Sequence, residues 1–276
     1  MKFCVLMKQA AIIPHKTILI TGASSGIGAA LAQHYAQTHT HLILWGRSQK
    51  RLSQVAQSVE KKGATAECHS IDLTNIDEAL TALRNQDSLT PITHFIFAAG
   101  LGDMRKEGEL AEEPSLVTEL CLVNFTTPAT LATEMANRMA TRGGGAIAFI
   151  GSVAAFHDLP MSTAYSGSKA GLARFSTALH AAMSPHKVYV TLISPGYVDT
   201  PMSQRLSGKL PFLISPQKAA QKIHRAISRR KAHLIFPWPF AFFAFLEGHL
   251  PRPVVHRILR LSTMQQTPRK TECSDT

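Results

Sequence analysis

Acid is what this sequence is short of. Its 276 residues include 18 Asp and Glu against 29 Lys and Arg, a formal net charge of +11. Such a balance favours anionic partners: nucleic acid, anionic lipid or phosphorylated ligands. No nucleic-acid motif accompanies the charge, and the basic residues are scattered until the end of the chain, so nucleic acid is not an expected partner. Cysteine is scarce as well. Cys4, Cys68, Cys121 and Cys273 have neither metal-ligand nor disulfide-framework spacing. No metal site is expected, and free thiols in a reducing cytoplasm are. No apolar run reaches the roughly 18–20 residues that span a bilayer. The segment Met1–Met7 lacks a long apolar core and a small-residue cleavage site, so it does not read as a secretion signal. No internal repeat is apparent. What is present is apolar residue, 45% of the chain, enough for a large core and too much for a disordered polymer. The length suits one α/β domain.

Two stretches carry chemistry. The first is Thr21-Gly-Ala-Ser-Ser-Gly-Ile-Gly28. It follows the apolar run Thr17–Ile20 and opens an amphipathic run, Ile27 to Gln37, in which Ile27, Leu31, His34 and Tyr35 recur at helical spacing. Strand, glycine turn and helix together make a phosphate site. Gly22 permits the tight turn, Gly26 a close backbone approach, and Gly28 close packing of helix on strand. The helix N-terminus adds free N–H groups and a positive dipole end. The spacing is G-x-x-x-G-x-G and not the dinucleotide fingerprint G-x-G-x-x-G. The second stretch is Tyr165-Ser-Gly-Ser-Lys169, which puts a phenol and an ammonium one helical turn apart on one face. A neighbouring positive charge favours phenolate and lowers a tyrosine pKa. A phenol so tuned gives a proton to a carbonyl oxygen or takes one from an alcohol.

Along the chain, apolar runs predict strands at Thr17–Thr21, His41–Trp45, Ala64–His69, Thr93–Phe97, Ala146–Ser152, Lys187–Ile193 and Ala232–Phe236. Helical patterns separate them: Gly26–Thr38, Ser48–Lys62, a helix from near Asn75, two segments within Ser115–Ala140 meeting near Asn124, one led by Tyr165 to about Ala182, and one from the Ser215-Pro216 cap to Arg230. This alternation predicts an α/β fold, a Rossmann-like doubly wound parallel sheet of about seven strands with helices on both faces. Residues 1–15 form a lead-in, 16–236 the catalytic domain, 237–263 an apolar and basic extension, and 264–276 a polar tail expected to be disordered. Pro201–Ile214 carries scattered Met, Leu and Phe.

The glycine loop Thr21–Gly28, Asp72-Leu73, Ala98-Ala-Gly100, Asn124, Ser152, Tyr165-x-x-x-Lys169 and Pro195-Gly-Tyr-Val-Asp-Thr200 stand in the order and approximate spacing of a known family. From Lys16 to Arg230 the chain resembles a short-chain dehydrogenase/reductase. The resemblance implies a nicotinamide cofactor and interconversion of a carbonyl and an alcohol. It implies catalytic roles for Asn124, which holds a helix break and a water, for Ser152, which binds the substrate oxygen, for Tyr165 as proton donor, and for Lys169, which lowers the Tyr165 pKa and grips the nicotinamide ribose. Gly22, Ser24, Ser25, Gly26, Ile27 and Gly28 would hold the pyrophosphate side. Asp72 and Leu73 would lie on the adenine, with helix capping by Asp72 a compatible reading. Ala99 and Gly100 would pass under the cofactor, Pro195, Val198 and Thr200 would meet the nicotinamide, beside Tyr165 and Lys169, and Pro201–Ile214 would match the mobile lid that closes over substrate. Phe97 and Ala98 replace asparagines common in the family, which removes polar ties between strands. At the end of the second strand, where an acid would accept from a ribose hydroxyl, stands Arg47 with Ser48. A guanidinium suits a 2′-phosphate, so NADP(H) is expected ahead of NAD(H); a solvated helix-start arginine is the other reading.

The resemblance also implies a homo-oligomer, a dimer formed by the helix around Asn124 and the helix after Tyr165, acting on a small carbonyl or alcohol substrate in the cytoplasm. Residues 236–260 join aromatics to arginines. Three readings stand: contact with a membrane surface, an apolar wall of the substrate pocket, or a subunit contact. The apolar tail points to an apolar substrate of steroid, retinoid or acyl type. A non-catalytic cofactor-binding scaffold on the same fold is the alternative.

Overall fold

A computed structural model describes residues 16–106, 108–240 and 242. The lead-in 1–15, the basic stretch containing Arg252, Arg257 and Arg260, and the tail 264–276 lie outside the described residues. Seven strands, β1 (Lys16–Thr21), β2 (Thr40–Gly46), β3 (Thr65–Ser70), β4 (His94–Phe97), β5 (Gly145–Ile150), β6 (Val188–Pro195) and β7 (His233–Phe236), form one sheet in the order β3-β2-β1-β4-β5-β6-β7. Every neighbouring pair is parallel. The helices are α1 (Gly26–Tyr35), α2 (Gln49–Glu60), α3 (Ile76–Leu89), α4 (Pro114–Cys121), α5 (Thr127–Thr141), α6 (Thr163–Met183) and α7 (Pro216–Ser228).

Each apolar strand feeds two cores because successive side chains point to opposite faces. Ile18, Ile20, Leu42 and Leu44 pack under α1, α2 and α7 with Leu31, Leu52, Val59 and Ile223. Leu19, Ile43, Phe95 and Phe149 pack on the other face with Leu83 of α3, Leu131 and Met135 of α5, and Leu172 of α6. That is the doubly wound architecture expected from the sequence.

Several boundaries shift for local reasons. The first helix stops at Tyr35, not Thr38, with Ala36 already extended. Ser48 starts α2 from outside, its hydroxyl accepting from Arg51 N. Asn75, not Asp72, caps α3; the Asp72 carboxylate instead closes a tight turn by accepting from Thr74 N at 2.9 Å. Ser152 lies past the end of β5, where its hydroxyl accepts from Ala154 N at the start of a short 3-10 turn.

The break near Asn124 is a π turn, Leu122–Thr126, between α4 and α5. The strand ends at Phe97 and Phe149 also differ from expectation. Where polar ties were missing, Phe97 stacks on Phe149 with ring centroids 4.9 Å apart, and on Phe95 at 4.0 Å. Neighbouring strands are joined there by aromatic area in place of amide hydrogen bonds.

Candidate active site

The carboxyl ends of the strands open into a cleft of about 840 Å3. It lies at the reversal of strand order between β1 and β4, where open α/β sheets bind ligands. The glycine loop forms its floor, and its geometry requires glycine. Gly22 has φ +66°, and a Cβ there would sit 2.6 Å from the Ala99 backbone. A Cβ on Gly28 would collide with the Gly22 carbonyl. Gly26, at φ +54°, faces Thr200 across the cleft, with only 3.1 Å from an added Cβ to the threonine methyl. Thr21 ties the loop to the next strand end, its hydroxyl accepting from Ala99 N at 3.2 Å.

Ser24, Ser25, Ile27, Asp72, Leu73 and Arg47 line the same half of the cleft. Arg51, one turn along α2, joins Arg47 there. Ser48 does not line it, because its hydroxyl is spent on the α2 cap. Gly28 sits behind the lining as a packing contact. The cradle fits a dinucleotide: backbone N–H groups at the start of α1, glycines at Gly22 and Gly26 that leave the backbone open to the cleft, and guanidinium groups at the far end.

Ser152, Tyr165 and Lys169 converge at the middle of the cleft. α6 supplies two of the three, and the end of β5 delivers Ser152. That helix gets its N-terminal cap from elsewhere in the chain. Ser162 makes no side-chain cap. Glu112 reaches in from the loop before α4, accepting from Ala164 N at 2.8 Å and from the Thr163 hydroxyl. A carboxylate at a helix N-terminus is also favoured by the helix dipole.

The Lys169 ammonium is 4% exposed and donates to the Ile150 carbonyl at 2.9 Å. It lies 6.0 Å from the centre of the Tyr165 ring. Burial lowers its pKa to about 8. The Tyr165 phenol moves the other way. Burial pushes it above its ordinary value, the hydrogen bond with Ser152 pulls it part of the way back, and Tyr197 adds a smaller upward push. The expected lowering by Lys169 is therefore not what this arrangement gives. Desolvation of the phenolate outweighs any help from an ammonium that itself is desolvated and turned toward a carbonyl. The phenol holds its proton through neutral pH, the state required of a donor.

Asn124 is 1% exposed and lies behind the lining. Its amide oxygen accepts from Leu101 N at 2.8 Å, and its amide nitrogen donates to Leu101 O at 2.9 Å and to the Ser168 hydroxyl at 3.2 Å. The side chain thus clamps the chain leaving β4 to the helix that carries Tyr165. Between them passes Gly100, where an added Cβ would lie 3.3 Å from both the Asn124 oxygen and the Lys169 nitrogen.

The other half of the cleft is lined by Pro195, Val198, Thr200 and by residues the sequence pattern did not single out: Leu159, Met161, Tyr197, Met202, Leu206 and Phe240. Arg205 fastens this side to the β4 loop, donating to Gly102 O at 2.8 Å and pairing with Asp103 at 3.5 Å. Apart from Phe240, which lies in a short helical turn, these residues sit on irregular segments, so no periodicity signals them. The usable signs were the density of Met, Leu and Phe in Pro201–Ile214 and, for Phe240, the pocket-wall reading of the aromatic tail.

A family profile described as short chain dehydrogenase matches residues 16–210. The chain belongs to that family. It is an NAD(P)-dependent oxidoreductase on a Rossmann-type sheet. It is 29% identical over 245 residues to an uncharacterized oxidoreductase of Myxococcus xanthus, covering 88% of this chain and 96% of that one. It is 32% identical over 219 residues to a fatty acyl-CoA reductase of Acinetobacter baylyi, covering 78% and 74%. Among solved structures it is similar to a short-chain dehydrogenase from Sphingobium yanoikuyae in complex with NADPH, with a TM-score of 0.76 and 27% identity over 94% of this chain and 99% of that one.

Proposed function

We propose that the protein is an NADPH-dependent reductase of apolar ketones or aldehydes, with the reverse oxidation of secondary alcohols on the same groups. The observation that carries this reading is the cleft itself. The protonated Tyr165 phenol and Ser152 share a hydrogen bond midway between a glycine cradle ending in Arg47 and Arg51 and a half lined by Met, Leu and aromatic side chains. The nicotinamide supplies the hydride when bound. Ser152 donates to the substrate carbonyl oxygen and stabilises charge as it grows there. Tyr165 gives that oxygen its proton. Lys169 holds positive charge beneath the site, and Asn124 and Ser168 fix the helix that aims Tyr165. Arg47, exposed at the end of β2, would pair with a 2′-phosphate, and the likeness to an NADPH-bound structure supports that choice. Similarity to a fatty acyl-CoA reductase supports an acyl-like substrate.

The test is NADPH oxidation, followed by absorbance, across ketones and aldehydes graded from sugars to long alkyl chains. Turnover rising with alkyl size is expected; binding of NADPH without turnover of any carbonyl would return the scaffold reading.

Residues 236–260 take two roles in this proposal. Phe240 lines the cleft, which supports the pocket-wall reading for that part. Trp238 and Phe242 are 76% and 52% exposed and, with the basic residues that follow in sequence, suit a peripheral contact between a cytoplasmic enzyme and an anionic membrane. Among the described residues no helix is long and apolar enough to cross a membrane. Co-sedimentation with anionic vesicles, lost in high salt and lost on truncation after Phe236, is the expected result. A homodimer through α4, α5 and α6 is proposed from the family resemblance, with light scattering as the check.

A further inference from the structure

We infer that Phe240 is the end wall of the substrate half of the cleft, and that its position over Gly196 sets how long an apolar chain the enzyme accepts. The inference rests on the reductase reading above and adds a residue to it that the family motifs do not contain.

The placement is fixed by backbone. β7 pairs with β6 so that Phe236 lies opposite Pro195. Gly196 N then donates to Phe236 O at 2.8 Å, and Phe240 N donates to Pro237 O at 3.2 Å. Phe240 is therefore four residues from a strand register point, not at the end of a free arm.

Its ring lies directly on Gly196. A Cβ at Gly196 would come within 2.5 Å of the ring edge. On its other sides the ring meets Tyr197, at 6.0 Å and 72° between planes, and Phe212 of the lid, at 6.2 Å and 84°. Both contacts are edge-to-face, the arrangement aromatic pairs favour. Tyr197 in turn is close enough to the catalytic phenol to push its titration upward. Tyr165, Tyr197 and Phe240 line one cleft, and Phe240 meets the half-exposed Phe212, so a line of rings leads from the reacting centre to the outside. Phe240 closes that path where the lid begins. An apolar substrate anchored by its carbonyl at Ser152 and Tyr165 would extend along it, and a ring seated between a turn and a lid gives it a stop.

The experiment uses the full chain and straight-chain 2-ketones of increasing length, reduced with NADPH. Phe240→Ala removes the stop, and Phe240→Trp thickens it. Gly196→Ala displaces the ring by contact and leaves Phe240 itself unchanged. The expected result is a ratio of kcat/KM, long over short ketone, raised at least tenfold in Phe240→Ala and in Gly196→Ala, and lowered in Phe240→Trp. Phe240→Leu, which keeps an apolar side chain there, guards against loss of fold. A second readout needs no turnover: displacement of a fluorescent fatty acid from the protein by the same ketones, recorded as the chain length at which affinity stops rising. If wild type turns over ketones and neither profile moves in any variant, the end wall is refuted. If no ketone turns over but the displacement profile still shifts, the wall stands and the reductase reading falls. A wild-type chain that neither reduces nor binds any of the series refutes both.

Discussion

At the glycine-loop end of the cleft the floor is backbone; at the other end the walls are side chains. Around Gly22, Gly26 and Gly28 there is no room for a methyl group, and the atoms that would meet it include the main chain of Ala99, Gly22 and Ala23. Around Tyr197, Met202 and Phe240 the surfaces are large, rotatable side chains. Backbone cannot be repacked, so the first end is committed to one shape of ligand. Side chains can be exchanged one at a time with the sheet untouched, so the second end is where preference is set. Between them sits a small polar floor, Ser152, Tyr165 and Lys169, whose geometry comes from β5 and α6.

Changes to the floor are expected to have the largest effects. Tyr165→Phe keeps the ring and removes the proton donor, so kcat should fall by about a thousandfold while NADPH affinity, read by fluorescence titration, stays close to wild type. Retention of more than a few per cent of turnover would assign the proton to another group.

Next comes the cost of burying Lys169. Its pKa is near 8 in the folded protein against 10.5 ordinarily. Between those values the unfolded chain holds more protons, so folding stability should rise as pH climbs through 8 toward 10.5. Below pH 8 the buried charge costs about 3 kcal/mol at most. Lys169→Met should therefore be inactive yet melt higher than wild type at pH 7, with the gap closing above pH 10. A variant that melts lower at both pH values would show that the bond to Ile150 O outweighs the desolvation.

The backbone end is sharpened by Arg47→Asp. Loss of one charge-assisted phosphate contact costs about 1.5–3 kcal/mol, so the ratio of kcat/KM for NADPH over NADH should drop at least tenfold. An unchanged ratio would shift phosphate recognition to Arg51. The smallest effect is expected at the side-chain end. Phe212 is 55% exposed, so Phe212→Ser should raise KM for long ketones by about twofold to fivefold, loosening one edge of the aromatic path, with kcat and cofactor affinity little changed.

The contrast between the two ends also explains what could be read before any coordinates. Apolar runs such as His41–Trp45 declared parallel strands because both faces are covered, and glycine at three spaced positions declared a loop where a Cβ has no space. Tyr165 and Lys169 were legible through helical period. Their electrostatics were not, because the direction of a pKa shift depends on where the ammonium points and how much water remains, and spacing encodes neither. The cap on α6 was hidden for a related reason: Glu112 stands 52 residues from the amide it serves, and no local pattern marks it. Asn124 was visible as a misfit within a helix, but its three partners lie on two other segments. Phe240 looked like one member of a greasy tail until β7 fixed its register.

The π turn at Leu122–Thr126 makes the long helical passage from Pro114 to Thr141 a phase shifter. The extra residue is absorbed in one wide turn, so the positions that face the sheet downstream are offset by one residue from an uninterrupted α pattern. α4 thus follows one register of buried positions and α5 the next, and Asn124 sits at the node, anchored to Leu101 so that the slip cannot travel. The two arms can then keep separate appointments, α4 against α6 and α5 against α3. Deleting a single residue between Leu122 and Thr126 would erase the slip. The predicted damage is local: with a regular α turn in its place, Leu131, Met135 and Met139 keep their buried face, and the loss falls on Asn124 and its bonds to Leu101 and Ser168.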